Sequence, residues 1–133
     1  MIREKSCGAV LFRREPDHRY LILHSTQGHS TLCKGHVEGG ETERETAVRE
    51  FGEVTGLTVT FCEGFRESIT YAPRPGCVKD VVFFLAEAAP GPVRCQPEEV
   101  ADAAFLPFAE ALARLTHDSD REVLEKAEQY FEE

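Results

Sequence analysis

A chain of 133 residues with 41% hydrophobic side chains suits one domain around one core, and its apolar content is too high for a disordered tail. The formal net charge of -9 argues against a general binder of nucleic acid or of membrane surfaces, since both need a basic face. The longest apolar run, Val81 to Ala86, is far too short to span a bilayer.

In chain order, Cys7 to Phe12 is apolar and β-prone and predicts a strand. Arg13 to Arg19 holds Pro16 and Asp17 and reads as a turn, and Tyr20 to Leu23 completes a hairpin. Thr26 to Thr31 is a polar loop, and Gly35, Gly39 and Gly40 prolong it as a loop where backbone can approach a ligand closely. Thr42 followed by Glu45 fits a capping box, so a helix starts near Glu43, and Gly56 ends it. On that helix Ala47, Phe51 and Val54 fall on one side and face the core. Leu57 to Phe61 alternates like a half-buried strand, and Gly64 to Tyr71 continues it or starts another.

Ala72 to Gly76 holds two prolines and a glycine and is expected to be a loop. Lys79 to Glu87 is a strong strand with a buried middle, Pro90 to Pro97 a break, and Ala103 to Leu106 a short last strand. Phe108 to Leu115 reads as a helix, and Ser119 with Glu122 forms a second capping box opening a helix to about Phe131. The expected fold class is α+β: a mixed sheet with helices covering its faces, in a single domain over residues 1–133.

Five cysteines, an odd number with no C-x-x-C pair, point to reduced thiols. The charged start of the chain does not resemble a signal peptide. Both observations predict a cytoplasmic protein.

The chemistry concentrates between Leu32 and Leu57. Glu50 and Glu53 lie one helical turn apart and can share a hard cation such as Mg²⁺. The glycine-containing segment before the helix sets backbone carbonyl and N–H groups beside them. An acidic, solvated helix face is the plainer account of that pattern alone. The order of residues is more specific. Gly35, Glu41, Arg49, Glu50, Phe51, Glu53, Gly56 and Leu57 stand in the spacing G-x5-E-x7-R-E-U-x-E-E-x-G-U, where U is apolar. This resembles the Nudix box of the Nudix hydrolases, with Val54 in place of the second glutamate of the E-E pair. KGHVEGGE (Lys34 to Glu41), EGFRESITY (Glu63 to Tyr71), Lys79 and VVFFLAEA (Val81 to Ala88) further resemble the asymmetric diadenosine tetraphosphate hydrolases. The likeness runs from Cys7 to about Phe105.

The resemblance implies an α/β/α sandwich and a metal-assisted attack of water on a phosphoanhydride, splitting a dinucleoside polyphosphate into two nucleotides. It implies that Glu50 and Glu53 hold Mg²⁺ or Mn²⁺ beside Gly35, with Glu99 as a further metal-linked carboxylate. Arg49 matches the box arginine that orients the glutamates, and Glu41 a structural glutamate bonding the loop or Arg49. Lys34, His36 and Lys79 match residues near the phosphates, and Tyr71 a tyrosine that stacks on adenine. Either Glu50 or Glu53 can serve as general base. Capped RNA ends, nucleoside triphosphates and diphosphoinositol phosphates are other polyanions for such a scaffold. The partner implied is thus a small nucleotide, with no membrane and no nucleic acid, and the oligomeric state is open.

The match departs from the family at two places. Position 54 lies one turn beyond Glu50 on the same face, and valine has no donor atom for a metal. Before the box, the relatives tend to carry W-x-x-P-K-G-H, where this chain reads STLCKGH from Ser30 to His36. These departures leave open a second reading, a nucleotide-binding or regulatory protein on the same scaffold with weak or lost hydrolysis.

Overall fold

In the computed structural model, residues 1–14, 17–94 and 100–132 are described. The chain runs β1 (Ile2–Arg13), β2 (Arg19–Ser25), β3 (Ser30–Thr31), β4 (Cys33–His36), α1 (Glu43–Thr55), β5 (Val59–Phe61), β6 (Glu67–Arg74), β7 (Cys77–Ala88), β8 (Val100–Leu106), α2 (Phe108–Arg114) and α3 (Asp118–Glu132). The long strands β1 and β7 pair in parallel from Ile2↔Cys77 to Phe12↔Glu87. Around them β3-β2-β1-β7-β5 form the main path, with β4 on β1, β6 on β7 and β8 on β2, all of these pairs antiparallel except β1 with β7. The sheet is therefore mixed.

Period-two alternation in these strands builds two cores, one on each face. Val10 and Phe12 of β1 and Val81, Phe83 and Leu85 of β7 join Leu115, Val123, Leu124 and Ala127 under α2 and α3. Cys7, Ala9 and Leu11 of β1 and Val82, Phe84 and Ala86 of β7 turn the other way and meet Ala47, Phe51 and Val54 of α1. Each large side chain buried in this way contributes about 1.5–3 kcal/mol. Helices on both faces of a mixed sheet make the α/β/α sandwich expected from the sequence.

Several segments differ from the expectation. Residues 33–36 form strand β4 rather than loop. The strand can lie against β1 because Gly8 has no side chain: a Cβ there would stand 1.9 Å from the carbonyl oxygen of Cys33. Strand β6 runs on to Arg74, through the proline-containing stretch expected as a loop. It pairs with β7 alone, and its register is irregular between Tyr71 and Arg74, so Pro73 sits at an edge where its missing N–H breaks no ladder. Helix α3 begins at Asp118, which puts Ser119 inside its first turn rather than at the cap. Pro16 of the expected turn, most of the end of the Pro90–Pro97 break, and Glu99 lie outside the described residues. Cys7, Cys33, Cys62 and Cys77 are free thiols. Among the described residues no helix is long and apolar enough to cross a membrane.

Candidate active site

Helix α1 is fixed at both ends as its sequence predicts. The Thr42 side chain accepts from the Glu45 backbone N–H, Glu45 accepts in return from that of Thr42, and Gly56 closes the helix in the left-handed region at φ 70°. These caps set which residues turn inward. Phe51 and Val54 sink into the core, and Glu50, on the same side, is buried at 8% exposure. Its carboxyl group lies across β4 at Gly35, where a Cβ would stand 2.0 Å from the carboxyl carbon. Gly35 is therefore part of the strand that cradles Glu50, and only a residue without a side chain leaves that space. Glu53, one turn from Arg49, has half of its side chain exposed.

Arg49 ties the acidic groups together. Its Nε donates to Glu41 Oε2 at 2.8 Å, and one terminal nitrogen donates to Glu50 Oε2 and Glu53 Oε2, each at 3.2 Å. The other donates to the carbonyl oxygen of His36 at 2.8 Å and to Glu41 Oε1 at 3.3 Å. A planar guanidinium supplies these donors in a fixed fork, which a lysine cannot. Glu41 also accepts from the backbone N–H of Glu38 at 2.9 Å and from the Thr46 hydroxyl at 3.0 Å. Arg49, followed by these donors, lowers the Glu41 pKa to about 2. Glu41 is thus an anchored anion that holds Arg49, and Arg49 holds Glu50 and Glu53.

A polar cleft of about 340 Å³ opens at this network, lined by Gly35, His36, Arg49, Glu50 and Glu53 together with Lys34, Lys79 and Ser6. Lys34 lies on β4 and Lys79 on β7. Burial, and then the neighbouring Lys34 ammonium, push the Lys79 pKa down, against the opposing pull of Glu4. Tyr71 stands across from Lys79 on β6, and the Lys34 Nζ lies 5.7 Å from the centre of its ring. The structure thus brings Lys34, Gly35, His36, Arg49, Glu50, Glu53 and Lys79 to one cleft, with Tyr71 at its border. Glu99 lies outside the described residues.

Three residues of this region were not singled out by the sequence reading. Ser6 is 1% exposed, its hydroxyl has no hydrogen-bond partner, and it lines the cleft. Its place at the end of the polar start of β1, directly before the apolar run from Cys7, gave no signal of a buried hydroxyl. His117 and Asp120 come from the start of α3 and line a neighbouring cavity with Lys34 and Tyr71. No local pattern announces them. Ser30, standing where relatives tend to carry tryptophan, is buried, shares a hydrogen bond of 3.1 Å with His24 Nδ1, and donates its N–H to Thr116 Oγ1 at 2.8 Å.

The donor set suits a hard divalent cation. One terminal nitrogen of Arg49 draws Glu50 and Glu53 together, each at 3.2 Å, and Gly35 leaves room for the Glu50 carboxyl group. Mg²⁺ is commonly held by one or two carboxylates together with water and substrate phosphates. Val54, 4% exposed in the apolar cluster of α1, adds no ligand. Among the described residues no three histidine, cysteine or acidic side chains form a ready ligand set.

The chain was compared with known proteins. Over 95 residues it is 39% identical to asymmetrical bis(5'-nucleosyl)-tetraphosphatase of Mus musculus, a match covering 62% of this chain and 64% of that protein. The chain thus spans slightly less than two thirds of the length of that relative. The fold superposes on a C. elegans Ap4A hydrolase in a binary complex with a TM-score of 0.88 and 26% identity, covering 96% of this chain and 97% of the other. It also matches the dihydroneopterin triphosphate pyrophosphohydrolase of E. coli at a TM-score of 0.72 and 19% identity, over 95% of this chain and 97% of that one, a likeness of fold. The model of the NUDIX domain matches residues 3–127. With the sandwich fold and the box residues gathered at one cleft, that match establishes that the chain belongs to the NUDIX family.

Proposed function

We propose that the chain is a divalent-cation-dependent hydrolase that splits a phosphoanhydride bond of a dinucleoside polyphosphate, of the diadenosine tetraphosphate kind. One observation carries the reading: Glu50 and Glu53, tethered by Arg49, line a single cleft together with Lys34 and Lys79. A cleft that holds both carboxylates and ammonium groups fits a bound polyanion with its cation. The names of the mouse and C. elegans relatives agree with this substrate class.

Glu50, Glu53 and the backbone carbonyl of Gly35 are the groups that would hold Mg²⁺ or Mn²⁺. Such an ion, when bound, neutralises phosphate oxygens and lowers the pKa of a bound water. The chain's own residues supply the rest. Lys34 and Lys79 offset charge on the phosphates, and the unpartnered Ser6 hydroxyl offers them a donor. Arg49 fixes the two carboxylates, so little reorganisation is needed when substrate arrives. Glu53 is the more exposed carboxylate and the better placed to accept a proton from the attacking water. Tyr71 offers a ring face to a base. Free thiols in the described residues agree with a reducing, cytoplasmic setting.

The test is hydrolysis by the purified chain with excess Mg²⁺ or Mn²⁺ against diadenosine tetraphosphate, a nucleoside triphosphate, a capped RNA end and a diphosphoinositol phosphate. Diadenosine tetraphosphate is expected to be cleaved fastest. Absence of product from every member sinks the hydrolase reading. Melting-temperature shifts with nucleotide but no turnover would instead support a binding protein on this scaffold.

A further inference from the structure

Beside the cleft lies a second cavity of about 280 Å³, walled by Lys34, by Tyr71 and by residues 117–120 at the start of α3. Lys34 lines the cleft as well, so one side chain borders both spaces. A lysine stem is flexible and does not by itself fix where its charge lies. The groups packed around it decide that.

Those groups come from the corner between α2 and α3. Along residues 32–34 the side chains alternate: Leu32 enters the core under the two C-terminal helices, Cys33 enters the opposite core under α1, and Lys34 returns to the α3 side. The corner holds this stretch through its backbone. Thr116 donates its N–H to the Ser30 carbonyl oxygen at 3.0 Å, and its Oγ1 accepts the Ser30 N–H at 2.8 Å. Asp120, 1% exposed, accepts the Leu32 backbone N–H. The corner is itself pinned, since Arg121 donates from Nε to the Leu112 carbonyl oxygen at 3.3 Å and from a terminal nitrogen to that of Leu115.

Asp120 also acts on Lys34 through charge. Its Oδ2 is shielded from solvent and has no hydrogen-bond partner. Burial disfavours the ionised form, and the Lys34 ammonium is the first group that favours it, ahead of the Leu32 N–H and His117. A carboxylate this deep is costly to keep without a cation nearby. Building on the nucleotide-hydrolase reading above, we propose that Asp120 is a positioning residue: from the α2–α3 corner it holds the Leu32–Lys34 segment, and with it the Lys34 ammonium, at the place where the cleft receives the substrate phosphates. It touches no substrate itself. Thr116 supports the same segment from Ser30.

Two double-mutant cycles on the whole chain test this, over Asp120→Asn, Lys34→Met and both together. The first reads hydrolysis of diadenosine tetraphosphate in excess Mg²⁺. Asp120→Asn keeps the shape and an acceptor for Leu32 but removes the charge. KM should rise by about threefold to tenfold with kcat within about twofold, because Lys34 grips the phosphates alike before and during reaction. In the Lys34→Met background the same change should leave KM where it is. A KM unchanged in the single variant, or raised equally in both backgrounds, overturns the proposal. The second cycle reads melting temperature without ligand. Lys34→Met strands the Asp120 charge and should lower it, and adding Asp120→Asn should restore part of the loss. Additive changes overturn the proposal, even where no nucleotide is cleaved and the hydrolase reading has fallen by itself. If Asp120→Asn does not fold, Thr116→Val decides: Thr116 is exposed, its change loosens the same segment, and a parental KM there overturns the proposal.

Discussion

Replacing Gly35 with alanine perturbs the site at its tightest point. The new Cβ would stand 2.0 Å from the Glu50 carboxyl carbon and 2.1 Å from its Oε1, where ordinary contact begins at about 3.4 Å. Strand β4 cannot retreat, since Gly35 pairs with Cys7 and its neighbour Lys34 with Gly8 in the same ladder. The Glu50 side chain must then move by more than an ångström, and with it goes its 3.2 Å bond to Arg49. A displacement of about 1 Å at a reacting centre costs roughly a hundredfold in rate. Kinetics of diadenosine tetraphosphate hydrolysis should therefore show kcat down by about that factor, with a higher Mg²⁺ concentration needed for half-maximal rate. Overpacking of this kind costs about 1–3 kcal/mol if the protein absorbs it rather than expelling Glu50. A small change in melting temperature with a large loss of rate would mean that the carboxylate has swung away. Activity within twofold of the parent, at an unchanged metal requirement, would refute the claim that Glu50 must lie across Gly35.

Other perturbations test separate parts of the site. Val54→Glu restores the box carboxylate one turn beyond Glu50 and should lower the Mg²⁺ concentration for half-maximal activity. Because Val54 is 4% exposed among apolar side chains, the same change should lower the melting temperature; an unchanged metal requirement would say that another group already fills the place. Arg49→Lys keeps a cation but loses the fork to Glu41, Glu50, Glu53 and His36, and kcat/KM should drop by about tenfold to a hundredfold; a near-parental value would remove Arg49 from the positioning role. Glu41 and Glu43 have pKa values lowered from an ordinary 4.5 to about 2, the first chiefly by Arg49 and the second by Arg66 and then Lys5. Their folded values lie below their unfolded ones, so the stability they contribute is present above about pH 4.5 and is lost as the pH falls toward 2. Melting temperature should decline through that window, and Glu43→Gln should make the decline shallower.

The box helix is the part of the site most legible in the sequence. Thr42, Glu45 and Gly56 fix its ends through contacts a few residues long, and those ends decide that Glu50, Phe51 and Val54 turn inward. The alternation in β1 and β7 likewise announces two buried faces, and with them a sandwich. Such short-range signals survive in a sequence because each depends on near neighbours. The paths taken by residues 33–36 and 72–74 do not. The first is a strand because Gly8 lets it approach β1, and the second because it holds an edge against β7.

What the sequence determined by itself is thus the helix that carries the carboxylates, the kind of sheet beneath it, and the family pattern with its break at Val54. Tertiary structure alone decided which distant residues share the cleft. Lys34 and Lys79 come from strands on either side of β1, Ser6 from β1 itself, and Asp120 from the last helix. No periodicity or cap can place those groups together. Their proximity depends on strand order and on the packing of α3 over the sheet, which follow from burying both faces at once. The electrostatic character of the site, and the unmatched oxygen of Asp120, exist only once that packing is complete.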